Sequence, residues 1–577
     1  MKETTRDISI VLCGAAGQGI ATVETLLTTI LKKSGLNVFS TQEFMSRVRG
    51  GTNSTTIRVS SNRVRSYCDK IDFLIPLTKD AVSHVENRLS SKSCIIGDKS
   101  LFTKHPIEGG TIIDISFEKI AEDVGNKLYS NSVAVGVLAG LLQSKSSIIA
   151  EIFSIHFSKK GSDVINKNIE AADRGCELIK EIISKYNTEH HLINISKDSA
   201  LTKELLLSGR DAISIGAIAG GCNYVTFYPM APSTGIGTFL AQNSLRFGII
   251  SDQSEDELSV INKSFGAWYS GARALITTSG GGFALMTEAL SLAGITEMPL
   301  VINLGQRPGP ATGMPTRTEQ GDLELALYAG HGNFPRILLA PGTIKEAFLL
   351  TQKAFNLAAK YQVPVIILTD HYLVNSMYNL PSLDYEKLTV EKHIVETEEN
   401  YKRYKLTESG ISPRGVPGYG KGFIRVDSHT HTPEGYITES AEFRTKMVEK
   451  RLKKLKLITQ DAIPPKLVGD EDYDTLIVGW GSTFHCIEEA ILELNEEGKK
   501  IGFLHFSQVF PIHKNTSKYL NKAKISIIIE NNPTSQFGKL IKLEFGFIFG
   551  HHILKYSGFP FSEEEIIKKL RELIEVL

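Results

Sequence analysis

The residues best suited to bind a small anion lie in a Gly/Pro-rich loop that carries Arg307. The loop reads GQRPGPATGMPTRTEQGD at residues 305–322 and follows an apolar strand predicted at 299–304. Loops at the carboxyl ends of parallel strands commonly carry the ligand-binding residues of an α/β sheet. A guanidinium is a planar fork of donors that matches a carboxylate or a phosphate. A surface arginine on a long connection would have the same local sequence, so the rest of the chain must decide.

The alternation of strand and helix patterns predicts an α/β fold with three doubly wound, Rossmann-like domains. The length of 577 residues is too great for one hydrophobic core. Polar and Gly/Pro-rich stretches separate the three alternating segments. The predicted parts are a first domain (1–190), a linker (191–208), a second domain (209–380), an irregular and helical connecting region (381–465) and a third domain (466–577).

Composition excludes several classes of protein. Acidic and basic residues balance at 64 each, which does not favour nucleic acid or an anionic membrane as a partner. The uncharged stretch 212–245 contains prolines and glycines and is therefore typical of core and loop, not of a membrane span. The N-terminus enters a strand pattern without the features of a signal peptide. Six dispersed cysteines are typical of a reducing cytoplasm and unlike a zinc or iron–sulfur set.

A glycine-rich turn follows the first predicted strand. Residues 14–19 read GAAGQG, and Gly17, Gln18 and Gly19 lead directly into a helix pattern. Such turns expose backbone N–H groups that suit an anion. The second predicted strand, in the segment SGLNVFST, does not end in an acidic residue that would bind a ribose, so an NAD site is not expected. A second segment, SRVRGG with Arg49, is either an anion-facing loop or an ordinary turn.

The second domain contains two further loops beside that of Arg307. The segment FYPMAPST (227–234) follows a strand, and its two prolines make it a stiff loop because they cannot pair in a ladder. The segment QSEDE (253–257) heads a helix, where negative charge is stabilised, and we interpret Asp256 and Glu257 in that way. The segment TSGGGF (278–283) is another glycine-rich turn into a helix.

The connecting region holds two features whose function the sequence leaves open. His429 and His431 would share one face of an extended segment, but no third ligand has suitable spacing for a metal. Residues 443–457 form a very basic helix, which we interpret as a solvated face or a face that docks a partner.

Read together, these segments resemble the signature segments of the 2-oxoacid:ferredoxin oxidoreductases. The resemblance is to the α subunit with a γ domain fused ahead of it, and it covers nearly the whole chain. GAAGQGI and SRVRGG resemble the γ domain, and LIVGWGST (476–483) with IIIENN (527–532) resemble a transketolase-like C-terminal domain. The segments that resemble the α subunit are FYPMAPST, QSEDE, TTSGGGFALMTEA, GQRPGPATGMPTRTEQGD and SGISPRGVPG.

The resemblance implies oxidative decarboxylation of a 2-oxoacid with coenzyme A to acyl-CoA, carbon dioxide and reduced ferredoxin. Thiamine diphosphate would supply the carbanion and the electron sink. The resemblance assigns to Glu255 the carboxyl that hydrogen-bonds the cofactor's pyrimidine, and to Arg307 the substrate carboxylate. We expect Glu255 to be buried. Further implied contacts are with substrate (Thr312, Thr316, Ser233, Thr234), with the cofactor (Tyr228, Pro229, Pro232) and, near coenzyme A, with Gly17, Gln18, Gly19 and Arg49.

One departure from the family pattern concerns the substrate. The family segment is commonly Tyr-Pro-Ile-Thr-Pro-Ser, and Ala231 stands at the threonine position of this chain. A hydroxyl that would face cofactor or substrate is therefore missing. We expect 2-oxoglutarate as the substrate, with pyruvate and branched-chain 2-oxoacids as alternatives. A second substrate carboxylate would need a second cation, for which Arg317 is a candidate.

The chain lacks a GDG segment followed by an asparagine pair and lacks clustered cysteines. In the family these belong to the β subunit, so we expect a β partner that holds Mg²⁺ and an iron–sulfur cluster. The expected assembly is (αβ)₂ with ferredoxin as the electron acceptor. Three alternatives remain: an assembly or regulatory subunit that has lost catalysis, a self-contained thiamine enzyme, and an NAD oxidoreductase.

Overall fold

The structure, a computed structural model, describes residues 7–46, 51–102, 110–185, 193 and 195–576. The chain divides into two compact units. The first comprises residues up to 207 with the short segments 376–382 and 562–564, and the second comprises the remainder. The described residues contain no helix long and apolar enough to cross a membrane.

The part of the chain up to residue 208 alternates between strands and helices. Its strands are β1 (Asp7–Ala15), β2 (Asn37–Glu43), β3 (Thr52–Ser60), β4 (Phe73–Pro76), β5 (Cys94–Gly97), β6 (Thr111–Asp114) and β7 (Leu205–Ser208). Its helices are α1 (Ile20–Lys33), α2 (Ala81–His84), α3 (Phe117–Val124), α4 (Ser130–Leu141), α5 (Ser146–His156) and α6 (Ser162–Lys185).

The next part alternates in the same way. Its strands are β8 (Tyr224–Phe227), β9 (Ile250–Gln253), β10 (Ala274–Ser279), β11 (Leu300–Gln306), β12 (Ile337–Leu339), β13 (Pro364–Asp370) and β14 (Met377–Leu380). Its helices are α7 (Gly209–Ala219), α8 (Thr234–Gln242), α9 (Ser244–Phe247), α10 (Glu257–Tyr269), α11 (Gly280–Leu285), α12 (Thr287–Thr296), α13 (Leu323–Tyr328), α14 (Ile344–Tyr361) and α15 (His371–Asn375).

After an irregular stretch the alternation resumes with a long helix. The helices are α16 (Ala441–Gln460), α17 (Phe484–Glu496), α18 (Thr516–Lys522), α19 (Gln536–Phe545) and α20 (Glu563–Val576). The strands are β15 (Lys466–Gly469), β16 (Thr475–Trp480), β17 (Ile501–Phe506), β18 (Gln508–Phe510), β19 (Ile525–Glu530) and β20 (His551–Leu554).

The strands form three sheets, so the predicted α/β fold is confirmed. The first has the order β6-β5-β4-β1-β3-β2-β14-β7 and is mixed, since β3 runs antiparallel to both β1 and β2. Strand β14 was expected to end the second domain, but it pairs with β2 and belongs to the first unit. A four-residue strand carries too little pattern for the sequence to reveal its pairing partner.

The second sheet, β18-β12-β13-β11-β10-β8-β9, is parallel except where β18 joins antiparallel to β12. The third, β15-β17-β16-β19-β20, is parallel except for its edge strand β15. Strand β18 follows β17 directly in the chain but pairs in the second sheet. This crossing ties the two sheets into one unit.

Close helix packing accounts for the small residues of α7. A Cβ atom at Gly216 would lie 3.1 Å from the backbone carbon of Phe348 on α14. Ser208 and Asp211 form a capping box at the start of α7, which satisfies backbone N–H groups that have no partner within the helix.

The basic helix α16, expected to present a solvated face or a face that docks a partner, also has buried basic residues. Lys450 and Lys454 are buried, and both pair with the buried carboxylate of Glu297, at 2.6 Å for Lys450. Arg403 donates to the Glu297 backbone oxygen at 2.8 Å. Buried Lys450 and Lys454 stand four positions apart, so one stripe of the helix carries charge into the interior.

His431 packs in the interior of the connecting region. It is fully buried, stacks on Tyr404 with ring centroids 3.8 Å apart, and shares a hydrogen bond with the His429 backbone oxygen. Burial lowers the pKa of His431 to about 4, so the ring is neutral. Exposed His429 contacts Asp427. No metal-binding group of His, Cys, Asp or Glu side chains occurs among the described residues.

Candidate active site at the carboxyl ends of the second sheet

Two loops and a helix start meet at the carboxyl ends of the neighbouring strands β11, β10 and β8. They are the loop 307–322 after β11, the first residues of α11 (280–282) after β10 and the loop 228–233 after β8. Parallel strands place these segments at one end of the sheet, where ligands bind in open α/β folds.

Arg307 joins two of these loops. Its Nη1 donates to the backbone oxygen of Ala231 at 2.8 Å, while its Nε is buried without a hydrogen-bond partner among the described residues. Burial lowers the pKa of Arg307, and the nearby carboxylate of Asp322 opposes that shift. The guanidinium is thus partly desolvated and retains unused donor capacity, as a binding site for an oxyanion requires.

Asp322 ends the Arg307 loop and was not singled out from the sequence. Its Oδ2 atom is buried and has no hydrogen-bond partner in the described chain. Burial raises the pKa of Asp322 to about 7, Glu319 adds to the effect, and Arg307 opposes it. Its backbone N–H donates to the Gln306 side chain at 3.1 Å, which fixes the end of the loop against β11.

Glu257 lies beside residues 280–282, the glycine-rich start of α11. It is 4% exposed, and its Oε1 atom has no hydrogen-bond partner among the described residues. A Cβ atom at Gly282 would lie 2.5 Å from that oxygen, and one at Gly280 would lie 2.6 Å from both carboxylate oxygens of Asp322. Residues 280–282 therefore separate two buried carboxyl groups, and only glycine fits at the two outer positions.

Glu255 is not buried, contrary to expectation. Its side chain is 73% exposed and lies 3.8 Å from Lys263. It precedes α10, whereas Glu257 is the first residue of that helix and shares its buried stripe with Val260 and Ile261. The helical periodicity of the buried residues could have distinguished the two. Asp256 caps the helix by accepting the Ser259 N–H at 2.7 Å, as the sequence indicated.

The stiff loop after β8 forms one side of the cluster. Ser233 is 1% exposed, and its hydroxyl donates to the Thr278 backbone oxygen. A Cβ atom at Gly305 would lie 3.0 Å from the Pro232 ring, so the loop packs closely on β11. Tyr228 and Pro229 are exposed, and Thr234, at the start of α8, is half-buried.

The threonines of the Arg307 loop have different surroundings. Thr312 is exposed and Thr316 is 9% exposed. Arg317, the candidate second cation, donates to the Thr316 backbone oxygen at 3.2 Å and lies over the Phe559 ring, 5.1 Å from its centroid. The Arg317 guanidinium therefore packs against the third-sheet region of the same unit.

In the first unit, the glycine-rich turn begins α1. Gly17 and Gly19 adopt φ values of 89° and 76°, which favour glycine. The Gln18 side chain accepts the Ala15 N–H at 2.7 Å and so closes the turn on itself. Arg49 lies outside the described residues.

Two protein-family models match parts of this chain. Residues 215–450, which include the whole Arg307 cluster, match "Pyruvate flavodoxin/ferredoxin oxidoreductase, thiamine diP-bdg". Residues 9–178 match "Pyruvate ferredoxin/flavodoxin oxidoreductase". The fold and the cluster thus define a protein of the thiamine diphosphate-binding oxidoreductase class.

Relatives cover nearly the full length. The 2-oxoacid:ferredoxin oxidoreductase subunit alpha of Sulfolobus sp. is 31% identical, with 98% of this chain and 97% of the relative covered. The 2-oxoglutarate synthase subunit KorA of Methanothermobacter thermautotrophicus is 29% identical over 65% of this chain and 100% of its own length. The chain belongs to the 2-oxoacid:ferredoxin oxidoreductase family, as an alpha subunit.

A solved structure agrees with this assignment. The 2-oxoglutarate:ferredoxin oxidoreductase from Magnetococcus marinus, with 2-oxoglutarate, coenzyme A and succinyl-CoA bound, superimposes with a TM-score of 0.91. It is 29% identical, and the match covers 99% of this chain and 100% of that chain.

Proposed function

We propose that this chain provides the substrate-binding half of an active site that oxidatively decarboxylates a 2-oxoacid. The products would be acyl-CoA, carbon dioxide and two reduced ferredoxins. The observation that carries the proposal is the cluster of Arg307, Asp322 and Glu257 around residues 280–282. One buried side-chain atom of each (Arg307 Nε, Asp322 Oδ2 and Glu257 Oε1) has no hydrogen-bond partner among the described residues. Buried polar groups without partners are costly unless a ligand completes them.

The residues of this cluster fit thiamine diphosphate. A buried carboxyl oxygen of Glu257 is available, and a Cβ atom at Gly281 would meet only the Ala311 backbone oxygen, at 3.8 Å, so the middle of the turn is open. Glu257 would hold the pyrimidine, and Tyr228, Pro229 and Pro232 would line the ring. When bound, the cofactor supplies the carbanion and the electron sink.

We assign the pyrimidine-binding carboxyl to Glu257 and not to Glu255. A hydrogen bond to a cofactor ring is strongest from a group that is held in place and shielded from water. Glu257 is 4% exposed and starts a helix, whereas the side chain of Glu255 is 73% exposed and near Lys263. Glu257 would form a hydrogen bond with a pyrimidine nitrogen.

Arg307 would bind the carboxylate of the 2-oxoacid. Its hydrogen bond to Ala231 fixes the guanidinium, and its remaining donors can take two carboxylate oxygens. Because carbon dioxide has to leave, this contact must favour the reaction and not only binding. Thr312, Thr316, Ser233 and Thr234 are the neighbouring hydroxyl candidates for the substrate.

The rest of the enzyme would come from a β subunit. The sequence has no GDG segment for the diphosphate and Mg²⁺ and no clustered cysteines for an iron–sulfur cluster. We assign these to the partner, in an (αβ)₂ assembly in the cytoplasm that reduces ferredoxin. Coenzyme A would approach the turn with Gly17, Gln18 and Gly19, and Arg49, which lies outside the described residues, is a further candidate for its phosphates.

We propose 2-oxoglutarate as the substrate. The KorA relative is named a 2-oxoglutarate synthase subunit, and the Magnetococcus structure contains 2-oxoglutarate. Pyruvate and branched-chain 2-oxoacids are the competing outcomes, because Ala231 replaces a hydroxyl beside Arg307.

The test uses the chain co-expressed with its neighbouring β polypeptide. Turnover of a 2-oxoacid panel is followed with coenzyme A and a viologen dye as the electron acceptor. Arg307→Ala is expected to lose most of kcat/KM while the thiamine content of the complex stays unchanged, and Arg246→Ala, an exposed arginine of the same unit, serves as the control. Unchanged kcat/KM in Arg307→Ala for every 2-oxoacid would reject the carboxylate role.

The two glutamates are compared in the same complex. Glu257→Gln removes an ionisable carboxyl at nearly constant shape and is expected to lower kcat at least about hundredfold, the usual scale of a lost proton-transfer group. Glu255→Gln is its matched control and should stay close to wild type. Thiamine content and circular dichroism show whether cofactor and fold persist. A large loss in Glu255→Gln with an active Glu257→Gln would reverse the assignment.

A further inference from the structure

A second polar cavity lies at the opposite edge of the second sheet from the Arg307 cluster. Its volume is about 320 Å³, and it is lined by α12, residues 331–334 and α16 with the neighbouring residue 428. Helix α12 precedes β11, and residues 331–334 precede β12, so both meet the amino ends of their strands. Arg307 follows β11, so the two sites lie at opposite ends of that strand.

Two arginines of α16 face this cavity. Arg444, Val448 and Arg451 all line it, and their spacing of four and three residues places them on one stripe of the helix. Arg444 is exposed, while Arg451 is 4% exposed. Within the described chain the Arg451 guanidinium has no hydrogen bond and no ion pair. No Arg451 nitrogen is among the fully buried atoms without a partner in the described residues, so the guanidinium reaches the space of the cavity.

The nearest buried carboxylate does not compensate for Arg451. Glu297 already pairs with Lys450 and Lys454. Burial lowers the pKa of Arg451, and attraction to Glu297 offsets this only in part. The region behind the cavity therefore carries more buried positive than negative charge. Glu288 is the acidic residue among those lining the cavity, and it is exposed.

Further polar side chains complete the lining. Ser291, Ser428, Asn333 and His331 border the same space. The Ser291 hydroxyl accepts the His331 backbone N–H at 2.8 Å, which holds the loop against α12. The cavity is thus assembled before any ligand arrives, and its volume lies at the lower end of the range for metabolite sites, roughly 300–1,000 Å³.

We propose that this cavity is a second binding site, which takes a small anionic metabolite through carboxylate or phosphate oxygens held by Arg451 and Arg444. Arg451 forms the desolvated inner contact, and Arg444 closes over the ligand from the mouth. This inference does not depend on the proposed reaction, because none of these residues belongs to the Arg307 cluster.

The test measures binding of inorganic phosphate and of citrate to the co-expressed complex, by calorimetry and thermal shift at constant ionic strength. The variants are Arg451→Gln and Arg444→Gln, with Lys456→Gln as the control, since Lys456 is an exposed cation of the same helix outside the cavity lining. Circular dichroism verifies the fold. Arg444 is exposed, so its variant keeps the test decisive if Arg451→Gln fails to fold.

Saturable binding of phosphate or citrate that weakens roughly tenfold or more in both arginine variants, but not in Lys456→Gln, supports the site, because a charge-assisted hydrogen bond is of that strength. The preferred probe then identifies phosphate or carboxylate as the recognised group. Absence of saturable binding by either probe overturns the proposal. Equal binding by all four proteins, which would place the anion at another site, also overturns it.

Discussion

The protonation of Asp322 offers a test of the cluster that does not require turnover. Burial raises the pKa of this carboxyl to about 7, with Glu319 adding to the shift and Arg307 opposing it. The folded chain therefore keeps a proton that the unfolded chain loses near pH 4. Stability from this proton is complete at low pH and is lost as pH rises through about 7.

The perturbation is Asp322→Asn, which cannot ionise. An aspartate that rises from about 3.9 to about 7, at about 1.4 kcal/mol per pH unit, carries a penalty of about 4 kcal/mol when fully ionised. Most of the interval between these two pKa values lies above pH 5. The variant is therefore expected to gain about 2–3 kcal/mol relative to wild type between pH 5 and pH 8.

The assay follows unfolding in denaturant or by heat at closely spaced pH values, and the quantity of interest is the difference between variant and wild type. Asp252→Asn is the matched control, because burial of Asp252 is outweighed by Lys263 and Ser254, so its pKa is lowered. Its difference from wild type should stay constant between pH 5 and pH 8. A pH-independent difference for Asp322→Asn, or one that falls as pH rises, would refute the reasoning.

Two other predictions concern packing and specificity. Ala231→Thr introduces a hydroxyl beside the Arg307 contact and is expected to change the ratio of kcat/KM values among 2-oxoacids. An unchanged ratio in the viologen assay would mean that residue 231 lines the site without affecting substrate preference. Glu297→Gln leaves two buried lysines without their carboxylate and should cost about 3–5 kcal/mol of unfolding free energy, whereas Glu442→Gln, in an exposed pair of α16, should leave the unfolding free energy close to that of wild type. Equal effects of the two glutamine variants in denaturant titrations would contradict the buried-pair explanation.

The fold could be predicted to the extent that it depends on local periodicity. Apolar runs such as β11 and β13 are buried along their whole length, and central parallel strands produce that pattern. The positions of β14 and β18 could not be predicted in the same way. Each is three or four residues long and pairs with a strand distant in sequence, so tertiary contacts and not local pattern decide its sheet.

Some residues of the candidate site could be predicted from local sequence pattern, and others could not. Arg307 was found because its loop has an unusual composition after a clear strand. The family resemblance assigned the role to Glu255, one of three adjacent acids, whereas the helical periodicity of the buried residues of α10 could have indicated Glu257. Asp322 gave no local signal, since its burial depends on the turn after β10.

Two kinds of buried charge distinguish ligand sites from scaffold in this chain. Glu297 is surrounded by Lys450, Lys454 and the donating Arg403, so its charge is compensated within the protein and its contribution is structural. The cluster of Glu257, Arg307 and Asp322 retains buried atoms that have no hydrogen-bond partner among the described residues. Selection for folding stability alone would remove such groups, because each buried polar atom without a hydrogen-bond partner costs roughly 1–3 kcal/mol. We therefore expect a ligand to complete these atoms when it binds.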